Sequence, residues 1–133
     1  MAGISFKDFK VLRMFLEKND EYIEKNEQVK FDLGHSFDIT GNQMVVQLFT
    51  GNKNDFPFKY EVIVQGIFEY NGDEDSANIG LHGFRANALA ILFPYLRTVV
   101  SQMTTLSEYD PVSLPTINMI EYLKAADKAA DKA

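Results

Sequence analysis

Between Val29 and Ile39 apolar side chains recur at every second position, with Val29, Phe31, Leu33, Phe37 and Ile39 alternating against Lys30, Asp32, Gly34, Ser36 and Asp38. A two-residue period is that of a strand with one face in an apolar interior and the other in water. Thr40-Gly41-Asn42-Gln43 follows. Gly41 and Asn42 both tolerate positive φ, so the segment predicts a turn, with Met44 to Thr50 returning antiparallel as a hairpin partner. After an Asn- and Gly-rich loop over Gly51 to Phe56, Pro57 to Tyr70 reads as the longest strand. Phe58, Tyr60, Val62, Val64, Phe68 and Tyr70 share one face with Gly66, and the other face is mixed, carrying Lys59, Glu61, Ile63, Gln65, Ile67 and Glu69.

The start of the chain is ambiguous. Ser5 with Asp8 fits a helix cap followed by an acid in the first turn, and Phe9, Leu12 and Leu16 fit one helix face. Read as a strand, the same segment is apolar on both faces, Phe9, Val11, Arg13 and Phe15 alternating with Lys10, Leu12, Met14 and Leu16. Glu17 to Glu27 carries five acids against Lys18 and Lys25, and is expected to be a solvated connection or an edge extension.

Beyond Asn71-Gly72 and the acidic Asp73-Glu74-Asp75 loop the period changes. Ala88, Leu92, Tyr95, Val99, Met103 and Leu106 recur at spacings of three and four, the apolar face of a long helix. Pro94 lies inside it, and a proline ring clashes with the carbonyl four residues earlier, so a kink near Ala90 or a fresh start is expected. Pro111 and Pro115 bracket an extended loop, and a final short helix is expected from about Asn118, with Met119, Leu123 and Ala126 on one side. Residues 124–133 repeat Ala, Asp and Lys without an apolar face and are expected to fray.

Strands followed by two helices give an α+β class, an antiparallel sheet with its helices packed to one side. The 133 residues make one domain, and a hydrophobic content of 46% suffices for a core. A net charge of -6 opposes binding to a phosphate backbone, so nucleic acid is excluded as a partner. There is no cysteine, which removes disulfides, thiolate nucleophiles and cysteine-held zinc, and points to the cytoplasm. Charged Lys7 and Asp8 arrive before any signal-peptide core can form, and no segment approaches the length of a membrane span. With 11 Phe and 6 Tyr in so small a domain, some aromatic rings are expected to line an exposed groove.

A catalytic site is hard to assemble. His35 falls on the apolar face of a strand, where a hydrogen-bonded core or rim histidine is expected rather than a base, and His82 sits in a Gly-flanked loop. The two lack zinc-protease spacing, and no acid adjoins either of them to suggest a triad. Gly80 and Gly83 do not make a phosphate loop, and Asp73, Glu74 and Asp75 lack the alternating ligands of an EF-hand. No enzyme, cofactor or metal site is expected.

Three segments carry a resemblance to a known family. Tyr60 to Phe68 ends in Gly66-Ile67-Phe68, Ile91-Leu92-Phe93-Pro94-Tyr95-Leu96-Arg97 places a Phe-Pro-Tyr-x-Arg element inside a helix, and Leu114-Pro115-Thr116-Ile117-Asn118 precedes the last helix. In order and approximate spacing they resemble the SecB protein-export chaperones. The resemblance implies a four-stranded antiparallel sheet with two helices, and makes Phe9 to Leu16 the first strand, apolar on both faces as a buried subunit contact requires. It also implies a homotetramer, a dimer of dimers, that holds unfolded preproteins without ATP and delivers them to the SecA motor.

By the same resemblance Val29, Phe31 and Leu33, Tyr95, and Met119 and Leu123 match positions lining a client-binding groove. All six would also serve as ordinary core residues, and for Leu33 and Met119 the two readings stand level. Many apolar contacts of this kind, each worth about one to three kcal/mol, give avidity without sequence specificity. On the docking face implied for SecA, Glu61 keeps one acid, whereas Lys59 stands at a leucine position and Lys18 at an acidic one; Glu17, Asp20 and Glu21 offer a shifted acidic patch. Two other roles fit the same chain: a SecB-like chaperone of a toxin-antitoxin system, with an antitoxin as client, and a protein-interaction module without holdase activity.

Overall fold

The computed structural model describes residues 2–22, 30–53, 56–107 and 111–131. Its elements are β1 (Gly3–Lys18), β2 (Phe31–Thr40), β3 (Gln43–Asn52), β4 (Phe58–Asn71), a 3-10 turn (Glu74–Ser76), α1 (Ala77–Gly83), α2 (Arg85–Thr104) and α3 (Met119–Asp131). The strands form one antiparallel sheet in the order β1-β4-β3-β2, so the ambiguous N-terminal segment is a strand at one edge and β2 forms the other edge.

Two β-bulges explain why β1 reads as apolar on both faces. Its register against β4 slips between Phe6 and Asp8 and again between Val11 and Arg13, leaving Lys7 and Leu12 as extra residues. Each extra residue reverses the odd-even phase of the strand that follows it. Ile4 and Phe6, then Phe9 and Val11, then Met14 and Leu16 therefore all oppose the buried row of β4, while Ser5, Asp8, Lys10, Arg13, Phe15 and Glu17 oppose the other row. The β2–β3 hairpin turns as its sequence predicts: Thr40 pairs with Gln43, and Gly41 takes φ of 60°.

The helices cover one face of the sheet. Val46 and Leu48 of β3, Val62, Val64 and Phe68 of β4, and Leu89, Leu92 and Leu96 of α2 are fully buried against one another. Gly66 leaves room for this contact, since a side chain there would meet Leu92, Phe68 and Phe6 within 3.2 Å. α2 runs unbroken through Pro94 and does not restart near it.

Its buried face differs from the one that spacing suggests. Leu89, Phe93, Leu96 and Val100 join Ala88, Leu92 and Met103 inside, whereas Tyr95 is 44% exposed and Leu106, past the helix end, is 82% exposed. The sequence from Leu89 to Val100 is apolar nearly all round, so periodicity could not choose the face. Two further expectations change. There are three α-helices, and His82 lies in α1 rather than in a loop, because Ala77 and Leu81 anchor that turn in the core. Residues 124–131 continue α3 to Asp131, where fraying was expected, and Asp127 is tied to Arg85 of α2; residues 132–133 lie outside the described part.

The loop from α2 to α3 is pinned from inside. Thr104 Oγ1 donates to the Val100 carbonyl at 2.8 Å and accepts from the Val112 amide at 2.8 Å, and Arg97 Nε donates to the Leu114 carbonyl at 3.0 Å. Val112 and Leu114 are buried.

Candidate functional site

β2 sends Phe31, Leu33, His35, Phe37 and Ile39 toward the helices, as their pairing with the buried row of β3 requires. All five are only partly buried, unlike the corresponding rows of β3 and β4. β2 is the edge strand, and the cover over it comes from α1 and from α3, whose Tyr122 reaches down to the strand. Asn118 starts that helix, its Oδ1 accepting from the amides of Ile120 at 3.0 Å and Glu121 at 3.2 Å.

A polar cluster joins α3 to β2 and α2. The Tyr122 hydroxyl lies 2.7 Å from His35 Nδ1 and 3.2 Å from the Leu33 carbonyl, with its ring edge-on to the imidazole at 5.2 Å. One hydroxyl serves both contacts when His35 Nδ1 carries a hydrogen and donates to Tyr122, whose own proton then goes to the Leu33 carbonyl. One turn further along α3, Asp127 takes a bidentate pair from Arg85, at 3.0 and 3.4 Å. Arg85 is itself placed by donating to the His82 carbonyl at 3.0 Å and by lying over the Phe37 ring, 5.5 Å from its centre.

These environments shift the titrating groups. Burial lowers the His35 pKa; Asp127 opposes that shift and Arg85 adds to it. The hydrogen bond from Arg85 holds Asp127 below the ordinary carboxylate value. Burial raises Tyr122.

Of the residues matched to a groove, Phe31 and Leu33 lie on the β2 row described above, and Val29 lies outside the described residues. Met119 and Leu123 are in the core, 4% and 6% exposed. Tyr95 is elsewhere: its ring packs on Phe9 at 4.8 Å and Phe6 at 5.5 Å, over β1. Three strand spacings of about 4.8 Å separate the two edges, so within one chain Tyr95 stands apart from Phe31 and Leu33. Around Tyr95 the helix side of the β1 edge leaves Val11, Leu12, Met14 and Ile91 exposed.

Of the acids considered for SecA docking, Glu17 and Glu61 share the open face of the sheet, where Glu61 pairs with Arg13 at 3.3 Å and Glu17 stands opposite Lys59. Asp20 and Glu21 are exposed in the turn after β1. Phe15, Leu33, Gly34, Phe49, Tyr60 and Glu61 help line a hollow of about 720 Å³ at that end of the sheet. Among the described residues no group of three or more His, Asp or Glu is placed to hold a metal ion, and no helix is long and apolar enough to cross a membrane. His35 is the hydrogen-bonded rim histidine that its strand position predicts. Tyr122, Arg85 and Asp127 were not legible beforehand, because each acquires its partner only when α3 folds back across 42 residues or more.

A four-stranded antiparallel sheet with helices on one face and partly covered apolar residues at both edges defines a class of small α+β folds. The family model for preprotein translocase subunit SecB matches residues 4–129. The chain belongs to the SecB family. It is 29% identical over 120 aligned residues to an uncharacterized protein of Methanocaldococcus jannaschii, with 79% of this chain and 76% of the relative covered. Its fold is similar to that of a Mycobacterium tuberculosis SecB-like chaperone solved in complex with a peptide from the HigA1 antitoxin, with a TM-score of 0.65, 14% identity, and 86% of this chain and 87% of the other covered.

Proposed function

We propose that this chain is an ATP-independent holdase, a cytoplasmic, non-enzymatic chaperone that binds unfolded preproteins for Sec-dependent export as a homotetramer. The observation that carries the reading is the β2 row: Phe31, Leu33, Phe37 and Ile39 are partly buried along an edge strand of a SecB-family sheet. Extended apolar segments of an unfolded client can lie along such a row, and no bound nucleotide is needed for that. The exposed patch of Val11, Leu12 and Met14 with Tyr95 supplies an apolar surface for contact between subunits. Glu17, Asp20, Glu21 and Glu61 are the acids available to SecA.

A second reading draws on the solved relative with its antitoxin peptide: here the client is an antitoxin. Lys59, exposed on the open face, and Lys18 favour it over SecA docking.

The test is suppression of aggregation of a chemically unfolded, export-type substrate at stoichiometric protein without ATP, with the mass of the free protein measured alongside. Holding by a tetramer supports the export reading, and SecA binding then separates it from the antitoxin reading. A monomer that leaves aggregation unchanged refutes the holdase and leaves an interaction module on the same fold.

A further inference from the structure

The attachment of α3 is unlike that of α2. α2 buries eight side chains, whereas Met119 and Leu123, both in the first two turns, are the buried ones of α3 among the described side chains. Besides these, the helix is held by side-chain polar contacts, Tyr122 to His35 and Leu33, and Asp127 to Arg85. The preceding loop is fixed as far as Leu114, and the helix is capped at Asn118, so residues 115–118 form a short connection between two anchored points. Thr116 and Asn118 within it are exposed. Directly beneath the polar contacts lies the β2 row, since His35 and the Leu33 carbonyl are the partners of Tyr122 and the Phe37 ring lies under Arg85.

We propose that α3 is a lid over β2, pivoting at residues 115–118, and that Tyr122–His35 and Asp127–Arg85 are the two halves of a latch that sets how often it opens. The proposal concerns access to the β2 row, and its client arm rests on the holdase reading above. Segments that few buried contacts hold open locally without global unfolding. A latch of directional polar contacts gives a closed state of defined geometry at a small closing free energy, which suits a cover that must yield to varied clients. When the competent state is a minor one, the apparent client affinity scales with its population.

Hydrogen exchange followed by mass spectrometry on the full chain tests this, with wild type, Tyr122→Phe and Asp127→Asn. Tyr122→Phe keeps the ring and removes only the hydroxyl; Asp127→Asn keeps the shape and removes the charge. Each is expected to speed exchange in residues 123–131 by about tenfold, the range for a lost hydrogen bond to a partly solvated group, with β3 and β4 unchanged. Affinity for an unfolded, export-type client should tighten by the same factor in each variant. Exchange of α3 that stays locked to that of the sheet in wild type and both variants overturns the lid. Faster exchange of α3 with unchanged client affinity overturns its control of access. If wild type binds no client, the holdase reading falls, and the exchange arm still decides whether the latch exists.

Discussion

The ring of Phe49 occupies the space that a side chain on Gly34 would need, and the two residues are direct partners across the β2–β3 ladder. The glycine is thus a seat for the ring on the open face of the sheet. Gly34→Ala is expected to destabilise the fold by about 1–3 kcal/mol through overpacking, measured as a lower urea midpoint. Adding Phe49→Ala removes the clash, so the double variant should lose less than the two single losses added together. Additive losses would mean that the ring does not depend on the glycine.

Thr104 links the end of α2 to the loop beyond it through a hydroxyl that both donates and accepts inside the core. Thr104→Val keeps the shape but leaves the buried Val112 amide without an acceptor, at a cost of about 1–3 kcal/mol. Thr104→Ser should recover most of that. Equal unfolding midpoints for the valine and serine variants would rule out the pinning role.

The Tyr60 hydroxyl is buried and makes no hydrogen bond of good geometry among the described residues, and neighbouring Thr50 gives its own proton to the Asp32 carbonyl at 2.6 Å. Burial raises the Tyr60 pKa, and the nearby Thr50 hydroxyl opposes that shift in part. Removing a polar atom that has lost water without a well-formed hydrogen bond in return costs little, so Tyr60→Phe should be neutral or stabilising by up to about 1 kcal/mol. A clear loss of stability would show that the hydroxyl is satisfied after all.

His35 gives the fold a pH dependence of definite sign. Its pKa in the folded chain lies below the ordinary imidazole value of 6.5, so the unfolded chain binds the proton more readily. The contribution is fully present above 6.5 and is lost as pH falls from there through the lowered folded value. Asp127, depressed from 3.8 by Arg85, acts only in a lower window, its contribution fading as pH falls below that value. Stability measured by denaturant between pH 7.5 and 5 should decline in wild type and stay flatter in His35→Gln. Parallel profiles would place the titration elsewhere.

How much of this was legible in the sequence depends on the range of the interaction involved. The β2–β3 hairpin and the β4 faces followed from a strict two-residue period and from Gly41. β1 did not, because its bulges at Lys7 and Leu12 carry no composition signal, and only pairing against β4 reveals that the apolar set changes phase twice. α2 was legible as a helix but not in its facing, since apolar residues surround it. Of the six residues matched to a groove, four of the five described cluster by neighbourhood in the β2 row or the core, while Tyr95 belongs to the opposite edge. Strand order decided that, and strand order is a property of non-local pairing. The latch was hidden for the same reason.

The paired bulges of β1 also govern where that strand tolerates a change of length. Deleting Leu12 or Lys7 removes an unpaired residue and leaves every remaining partner across β4 the same, so the strand loses a kink but keeps its apolar row inward. Deleting Lys10, only two positions from Leu12, forces everything on one side of the cut to slip by one residue and to turn its greasy row outward, unless a bulge is absorbed to compensate. Among sequences descended from a common ancestor, gaps in this strand should therefore gather at two sites and be scarce between them.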